Sequence, residues 1–287
     1  MTEQFEPSLN RRKLSMALRS ARQAAGKTQN EAAEAMECSL SKLIRIEKGT
    51  FSVSVIDLRA LLQLYGVTDP RQVAELEGFA RGSKRQSWWA MYNSVISPGF
   101  AEYLGFEGAA TILRCYHPFL VPGLLQTEEY AKALVSRDRP PEEATLLVEL
   151  KISRQERIFD ELATGELFFL LDESALHRRV GDPAAMREQL RRLRNLTRHP
   201  RTHLHVLPFS AGTHPDALSP FTLLEFEESA DLLYQEAPSG RGTLRDIPQL
   251  TGRFLETFWE LEDMSVGGAH ARELIDEAAE QFAADAE

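Results

Sequence analysis

The sequence lacks the features that mark membrane-spanning, secreted and metal-binding proteins. Only two of its 287 residues are cysteines, Cys38 and Cys115, and their separation excludes a metal-spaced pair. No apolar run approaches the ~20 residues that a membrane-spanning helix requires. The first ten residues are too acidic and polar for a signal peptide. These absences predict a cytoplasmic protein with reduced thiols and no bound metal.

The chain also lacks an excess of positive charge, since its net charge is −10. The charge is unevenly spread: residues 1–85 hold 14 Lys and Arg against 10 Asp and Glu, and the other 202 residues hold 19 against 33. The first part therefore carries +4 and the second −14. Because the acidic part would repel DNA, DNA binding would depend on a focused basic face and would weaken steeply with salt.

The length and this asymmetry favour two domains. Within the first, the stretch 27–49 predicts two short helices joined by a tight turn. Thr28 and Glu31 have the spacing of a capping box, which starts the first helix at about Gln29. Ser39 caps the second helix, whose apolar residues repeat at helical spacing. The polar and basic residues of that helix lie elsewhere around it, where they could face DNA.

These residues resemble the lambda-repressor-like, or XRE, family of helix-turn-helix transcriptional regulators. The matching pattern is Thr28-Gln29, Ala33, Ser39, Leu43, Arg45-Ile46-Glu47 and Gly49. The resemblance implies a five-helix domain in which Gln29 contacts a phosphate and the residues opening the third helix contact bases or backbone. The implied DNA-binding set is Thr28, Gln29, Ser39, Leu40, Ser41, Lys42, Arg45 and Lys48. Arginine suits this role because it can bind guanine O6 and N7 together. The alternative is a charged helix face that is merely solvated.

Three further helices complete the first domain, which we place at residues 1–80. They are predicted over residues 9–25, from the cap at Ser54 to Tyr65, and from Pro70 to about Ala80. Four arginines lie mostly outside the inward stripe of the first helix: Arg11, Arg12, Arg19 and Arg22. We expect most of them to be solvated, with contact to the DNA backbone as the alternative.

Residues 81–92 combine a short basic, polar linker with an aromatic cluster, Trp88-Trp89-Ala-Met-Tyr92. Such a cluster is typical of a seam that docks one domain on another, and the alternative is an exposed anchor for a partner protein.

The remaining residues, 93–287, alternate between extended and helical patterns, which predicts an α+β domain and an α+β class for the whole chain. Strands are predicted at residues 109–116, 166–172, 203–208, 221–226 and 232–235. Helices are predicted at residues 124–135, 143–161, 183–198, 246–261 and 269–282. The order of the strands does not follow from the sequence.

Several motifs identify this second domain: VPGLLQTEEYAKAL at 121–134, SRQERI at 153–158, LDESAL at 171–176, QLRRLRNL at 189–196, HVLPFSAGTH at 205–214, FTLLEF at 221–226 and LYQEA at 233–237. Placed behind an XRE-type domain, they resemble a large actinobacterial family of antitoxin-like regulators whose C-terminal domain has no assigned chemistry. The resemblance implies a small partner protein encoded nearby.

Two clusters leave room for other chemistry in the second domain. His199, His203, His205 and His214 fall within sixteen residues, and a strand would place His203 and His205 on one side, where they could share a metal. Asp172-Glu173-Ser174 follows a strand, where active sites often lie, but Glu173 and Ser174 suit the capping of a short helix equally well. No nucleophile elbow, phosphate loop or zinc-hydrolase spacing is present.

Taken together, the sequence predicts a homodimeric, sequence-specific DNA-binding transcriptional regulator that is not an enzyme and uses no cofactor. Its second domain would bind the small partner protein and thereby control DNA binding. The alternatives are a second domain that senses a small molecule or, with less support, a cytoplasmic enzyme. Homodimerisation is expected because one recognition helix reads only a few base pairs.

Overall fold

The computed structural model describes residues 7–84, 86–160, 165–214, 219–227, 229–236 and 242–284. The chain divides between Ala90 and Met91 into two compact units. The division falls inside the segment 81–92 that was predicted to join the two domains. Within the first unit, Trp88 and Trp89 contact each other edge to face, with their ring centroids 5.7 Å apart.

The first unit contains five helices, as predicted: α1 (Pro7–Ala24), α2 (Gln29–Ala35), α3 (Leu40–Glu47), α4 (Val55–Leu64) and α5 (Pro70–Gly82). Short polar side chains begin four of them, because each accepts a hydrogen bond from a backbone N–H in the first turn. These caps are Thr28, Ser39, Ser54 and Asp69. The ends of α1 and α5 differ from the predicted ends by about two residues.

One apolar core holds these helices together. Its most buried members come from all five helices and from the loop after α3: Leu14, Leu18, Ala32, Ala33, Leu43, Ile46, Val53, Leu58, Leu61, Leu62, Tyr65, Leu76 and Ala80. The small side chains of Ala32 and Ala33 let α3 cross α2 closely. The core therefore fixes which face of α3 points outward.

The expectation that the arginines of α1 are mostly solvated is wrong for two of them. Arg12 is 7% exposed and Arg22 is 8% exposed. Arg22 is buried because its guanidinium has a carboxylate partner on α3, which offsets the cost of removing the charge from water. Arg19 is exposed, as expected.

The second unit contains seven helices and seven strands among its described residues. The helices are α6 (Pro98–Glu107), α7 (Glu128–Val135), α8 (Pro141–Ile158), α9 (Ser174–His177), α10 (Pro183–Leu196), α11 (Pro248–Asp263) and α12 (Gly268–Ala284). The strands are β1 (Ile112–His117), β2 (Glu166–Asp172), β3 (Thr202–Leu207), β4 (Phe221–Glu225), β5 (Leu232–Glu236), β6 (Gly242–Arg245) and β7 (Val266–Gly267). The α+β class is confirmed.

The seven strands form a single mixed sheet in the order β6-β5-β4-β1-β2-β3-β7. Strands β1, β2 and β3 run parallel to one another, and each of the other strands runs antiparallel to its neighbour. The segments carrying α7 and α8, and then α9 and α10, make the two crossovers between the parallel strands. Parallel strands require such long connections, whereas β4, β5 and β6 follow one another through short ones.

Both faces of the sheet are covered, which explains why the central strand β2 is apolar from Leu167 to Leu171. Tyr116, Leu170 and Leu223 point to one face, where they form a cluster with Phe258 and Leu261 of α11. Leu167, Phe169 and Leu171 alternate with this set along β2 and point to the other face, where they are also buried.

Three elements were not predicted: α6, β6 and β7. Helix α6 contains two glycines and three aromatic residues, so its helix propensity is low, and the apolar periodicity alone does not reveal it. Its Gly99 is required by a tertiary contact, since a Cβ there would lie 2.0 Å from the carbonyl oxygen of Gly242 at the start of β6. The helix predicted from Leu124 begins instead at Glu128, after a single 3-10 turn, and β1 begins three residues later than predicted.

Candidate nucleic-acid interface

Helix α3 presents a polar and basic stripe on the side opposite its buried residues. Leu43, Ile46 and Glu47 face the interior. Ser41, Arg45 and Lys48 are all exposed, and their spacing of four and three residues places them on one face of a helix. The turn angle of an α-helix makes this face diametrically opposite the buried one. The stripe is therefore the part of α3 that can enter a groove.

The turn that precedes α3 is unusually tight. Glu37 has a φ of +48°, in the left-handed region that residues other than glycine rarely adopt. This conformation lets the backbone N–H of Cys38 donate to the carbonyl oxygen of Ala33 at 3.0 Å. Helix α2 exposes Glu31 and Glu34, and the turn exposes Glu37, so this segment offers no cationic surface of its own. Positive charge at this face must come from α3 and its flanks.

A buried ion pair fixes the far end of α3. The Nε of Arg22 lies 2.6 Å from Glu47 Oε1, and its Nη2 donates to Glu47 Oε2 at 3.0 Å. The hydrogen bond to Glu47 raises the pKa of Arg22 above its ordinary value, against the opposing effect of burial. Nη1 of Arg22 also donates to the carbonyl oxygen of Lys27 at 2.7 Å. One guanidinium thus connects α1, the loop before α2 and α3.

Gln29 belongs to the same network, which the sequence did not reveal. Its Nε2 donates to Glu47 Oε2 at 2.8 Å. A side-chain amide nitrogen carries two N–H groups, so one remains for a phosphate. The hydrogen bond to Glu47 orients the Gln29 amide at the start of α2. Phosphate contact by Gln29 remains a prediction.

Thr28 and Ser39 have structural roles as helix caps, in addition to the DNA contact that was predicted for them. Thr28 Oγ1 accepts from the backbone N–H of Glu31 at 3.2 Å, and Glu31 Oε2 accepts from the backbone N–H of Thr28 at 2.7 Å. The predicted capping box is therefore confirmed. Ser39 Oγ accepts from the backbone N–H of Lys42 at 3.2 Å. Both hydroxyl groups lie on exposed residues.

The other residues predicted to contact DNA differ in their exposure and in their ion pairing. Leu40 is 40% exposed at the start of α3, where its side chain can only make apolar contacts. Lys42 is paired: its Nζ lies 3.2 Å from Asp57 Oδ2 on α4. This pairing lowers the charge that Lys42 offers to a phosphate. Arg45 and Lys48 are the exposed cations of the stripe.

Sequence reasoning missed two exposed apolar residues of the first unit, Phe51 and Ile56. The guanidinium of Arg45 lies 5.0 Å from the centroid of the Phe51 ring, a cation–π distance that orients the arginine. Phe51 is 39% exposed and Ile56 is 80% exposed. The signal for Ile56 was available, since it lies outside the inward stripe of α4. The Arg45–Phe51 contact spans a loop and leaves no periodic signal.

In the second unit, three of the sequence motifs converge on one turn. Gln155 on α8 donates through Nε2 to the carbonyl oxygens of Gly123 and Gln126, at 2.8 and 2.9 Å. Gln189 on α10 donates to the carbonyl oxygen of Leu125 at 2.8 Å and accepts from the backbone N–H of Thr127 at 2.7 Å. Buried amide side chains thus satisfy the backbone of this 121–127 turn, which has no regular ladder to do so.

Comparison with known protein families agrees with this division. Residues 13–76 match the model of a helix-turn-helix domain, and residues 100–277 match the model described as a domain of unknown function (DUF5753). The second match covers more than half of the chain. The chain belongs to the DUF5753 family. Its helix-turn-helix domain makes it a DNA-binding regulator. No curated protein and no solved structure matches the chain.

The DUF5753 domain does not assemble its histidines into one cluster. His203 Nε2 lies 2.8 Å from Glu166 Oε2, and His205 Nδ1 lies 3.1 Å from Ser265 Oγ. His199 Nδ1 contacts Thr202 Oγ1 at 3.1 Å. Within the described parts of the chain, no three His, Cys, Asp or Glu residues are placed to hold a metal ion.

The Asp172-Glu173-Ser174 segment of the DUF5753 domain has mainly structural contacts. Asp172, rather than Glu173, caps α9, because its Oδ1 accepts from the backbone N–H of Ser174 at 2.8 Å. Glu173 accepts from the backbone N–H of Phe209 at 2.6 Å. The Ser174 hydroxyl donates to the carbonyl oxygen of Pro118 at 2.7 Å.

Among the described residues, no helix is both long and apolar enough to cross a membrane.

Proposed function

We propose that the protein is a cytoplasmic, sequence-specific transcriptional regulator that binds its operator as a homodimer. The observation that carries this proposal is the outward stripe of α3. Ser41, Arg45 and Lys48 are exposed opposite the helix's buried face, and the core and the Arg22–Glu47 pair hold that helix in place. A helix presented in this way suits the major groove, where arginine distinguishes guanine from other bases.

We further propose that the DUF5753 domain receives the controlling signal from a small partner protein encoded nearby, as in antitoxin-like regulators. The motif resemblance supports this role. The acidic character of residues 86–287 is compatible with it, because a domain of net charge −14 does not compete with the first for DNA. A second candidate is the sensing of a small molecule, which is favoured by a cleft of about 610 Å³ beside the 121–127 turn.

The DNA-binding proposal is tested by gel shift on the promoter of the protein's own gene, followed by footprinting to define the operator. Arg45→Ala should lose about 1–3 kcal/mol of discrimination between the operator and single-base variants. Arg71→Ala is the matched control, since Arg71 is an exposed cation at the start of α5, outside the α3 stripe. If Arg45→Ala leaves the ranking of sites unchanged, α3 does not read the operator.

Two measurements test the remaining parts. A homodimer should protect two half-sites about 34–36 Å apart, or a multiple of one helical turn of DNA. A single protected half-site would contradict the dimer. For the partner protein, co-purification with the product of the neighbouring gene should give a complex at micromolar concentration. If the two proteins stay separate at that concentration, the signal must arrive by another route.

A further inference from the structure

The cleft beside the 121–127 turn brings together residues from three separate motifs. Its walls come from the start of α7, from α8 and from α10 with the residues that follow it. Its volume of about 610 Å³ lies in the range of small-molecule sites in proteins. The side-chain amides of Gln155 and Gln189 hydrogen-bond the backbone of the 121–127 turn, as described above. The wall of the cleft that this turn forms is therefore rigid before any ligand binds.

The charges that line the cleft do not cancel. Arg191 is paired with Glu188, whose Oε1 lies 2.6 Å from Arg191 Nη2. The other charged residues of the lining are two cations, Arg192 and Arg198, and one anion, Glu128. Desolvation lowers the pKa of His199 below its ordinary value, so the imidazole adds no charge at neutral pH. The lining therefore has a net charge of about +1, within a unit whose overall charge is strongly negative.

Arg192 is the central cation of this site. Its Nε donates to the carbonyl oxygen of Leu125 at 3.1 Å, and its Nη2 donates to Gln155 Oε1 at 2.8 Å. Both acceptors are neutral, and the described residues place no carboxylate against the Arg192 guanidinium. Partial burial disfavours this charge and lowers its pKa from the ordinary value. An anion from outside the chain would stabilise it.

We propose that the cleft binds the carboxylate of an organic ligand, with Arg192 and Arg198 as its cationic contacts. The planar guanidinium matches a carboxylate with two parallel hydrogen bonds. A single negative charge balances the net charge of the lining, whereas a phosphate dianion would leave an excess of negative charge in the cleft. The inference rests on the proposed signal-receiving role of the DUF5753 domain, and it names the chemistry that this domain recognises.

Two sources can present this group: a free organic acid, or the C-terminal carboxylate of a partner protein. Four probes distinguish them. Benzoate and its neutral amide, benzamide, represent the free acid. N-acetyl-leucyl-phenylalanine and its C-terminal amide represent a chain terminus. Binding to the full-length protein, without DNA, is measured by saturation-transfer NMR and quantified by calorimetry.

At least one acid should bind, and its amide should bind about tenfold more weakly or not at all. Arg192→Gln should weaken binding of that acid by about tenfold, and Arg198→Gln by about threefold, because charge-assisted bonds from a half-buried arginine are stronger than those from an exposed one. Arg137→Gln is the matched control: Arg137 is an exposed arginine of the same unit that does not line the cleft. The affinity of the Arg137→Gln variant for the acid should stay within about twofold of that of the original protein.

Each other result overturns the proposal. If neither acid binds, if acid and amide bind equally, or if Arg137→Gln weakens binding as much as Arg192→Gln, the cleft is not a carboxylate site. Should Arg192→Gln fail to fold, Arg198→Gln decides, since the Arg198 side chain is exposed and makes no hydrogen bond to the described residues. These ligand-binding measurements contain no DNA. A failure of the carboxylate proposal can therefore be distinguished from a failure of the DNA-binding proposal, which the gel shift tests.

Discussion

Arg22 and Glu47 form a doubly hydrogen-bonded ion pair in the interior of the first unit, with N–O distances of 2.6 and 3.0 Å. The pair joins α1 to the C-terminal end of α3, twenty-five residues away. Glu47 also accepts from Gln29 at the start of α2. One carboxylate therefore sets the position of the candidate recognition helix relative to the two helices before it.

Removing this carboxylate should destabilise the first unit strongly. Glu47→Gln leaves the buried guanidinium of Arg22 without a counter-charge, which typically costs about 3–5 kcal/mol of the free energy of unfolding. Hydrogen exchange followed by mass spectrometry measures the change, because peptides from the first unit are resolved from those of the second. Glu34→Gln removes the same charge from an exposed position on α2 and should change stability by less than about 0.5 kcal/mol. Equal protection factors in the two variants would contradict a structural role for the pair.

The pairing of Lys42 with Asp57 predicts a variant that binds DNA more tightly. Asp57→Asn removes the carboxylate that partly neutralises Lys42 and leaves this cation for a phosphate. Affinity should rise several-fold at low salt, and the slope of log K against log salt should steepen by about 0.9. Asp69→Asn is the control, because it removes one negative charge at the cap of α5 and asparagine caps equally well. An unchanged slope for Asp57→Asn would place Lys42 away from the phosphates.

The helix-turn-helix part of the first unit follows from the sequence because its determinants are local. Thr28, Ser39 and Ser54 each bond a backbone group three residues ahead, and Leu43 and Ile46 face inward at helical spacing. The Arg22–Glu47 pair could not be predicted in this way. A charged residue outside an apolar stripe looks solvated until the fold brings a distant carboxylate to it.

In the second unit, predictability again depends on the range of the interactions. The strand at residues 166–172 was predicted with its observed bounds, since a run of apolar residues between helices indicates a buried strand. The order of the sheet was not predictable, because β4 pairs with β1 across more than a hundred residues. The convergence of Gln155 and Gln189 on one turn also depends on that long-range topology, although each lies in a motif that the sequence singled out.

Burial of His117 at the end of β1 predicts acid sensitivity of the second unit. Loss of solvation, together with the nearby charge of Lys151, lowers the pKa of His117 from 6.5 to about 4. Between pH 6.5 and 4 the unfolded chain binds a proton that the folded chain does not, so stability falls as pH falls through this window and levels off below it. The loss attributable to His117 is at most about 3 kcal/mol.

The variant that isolates this effect is His117→Asn. The amide oxygen can replace Nδ1, which accepts from the backbone N–H of Leu120 at 3.3 Å, but it does not titrate. Urea unfolding of the second unit at pH 7, 5 and 4 should show a shallower pH dependence in this variant. His270→Asn, at an exposed position on α12, should keep the original dependence. Parallel curves for the original protein and His117→Asn would show that another group controls the acid response.

Gln189 should stabilise the second unit mainly by accepting a hydrogen bond from the backbone N–H of Thr127. Gln189→Leu keeps the approximate volume of a side chain that is fully buried but removes its hydrogen bonds. The carbonyl oxygen of Leu125 still accepts from Arg192, whereas the backbone N–H of Thr127 loses the acceptor that Gln189 provides at 2.7 Å. Because Thr127 is only half-buried, leaving its N–H without an acceptor should cost about 1 kcal/mol, the lower end of the range for a buried donor, and thermal unfolding of the second unit should show that loss. Gln249→Leu, an exposed substitution at the start of α11, should leave the transition unchanged. If both variants unfold together with the original protein, solvent must reach the 121–127 turn, and the rigidity attributed to this wall of the cleft would be lost with it.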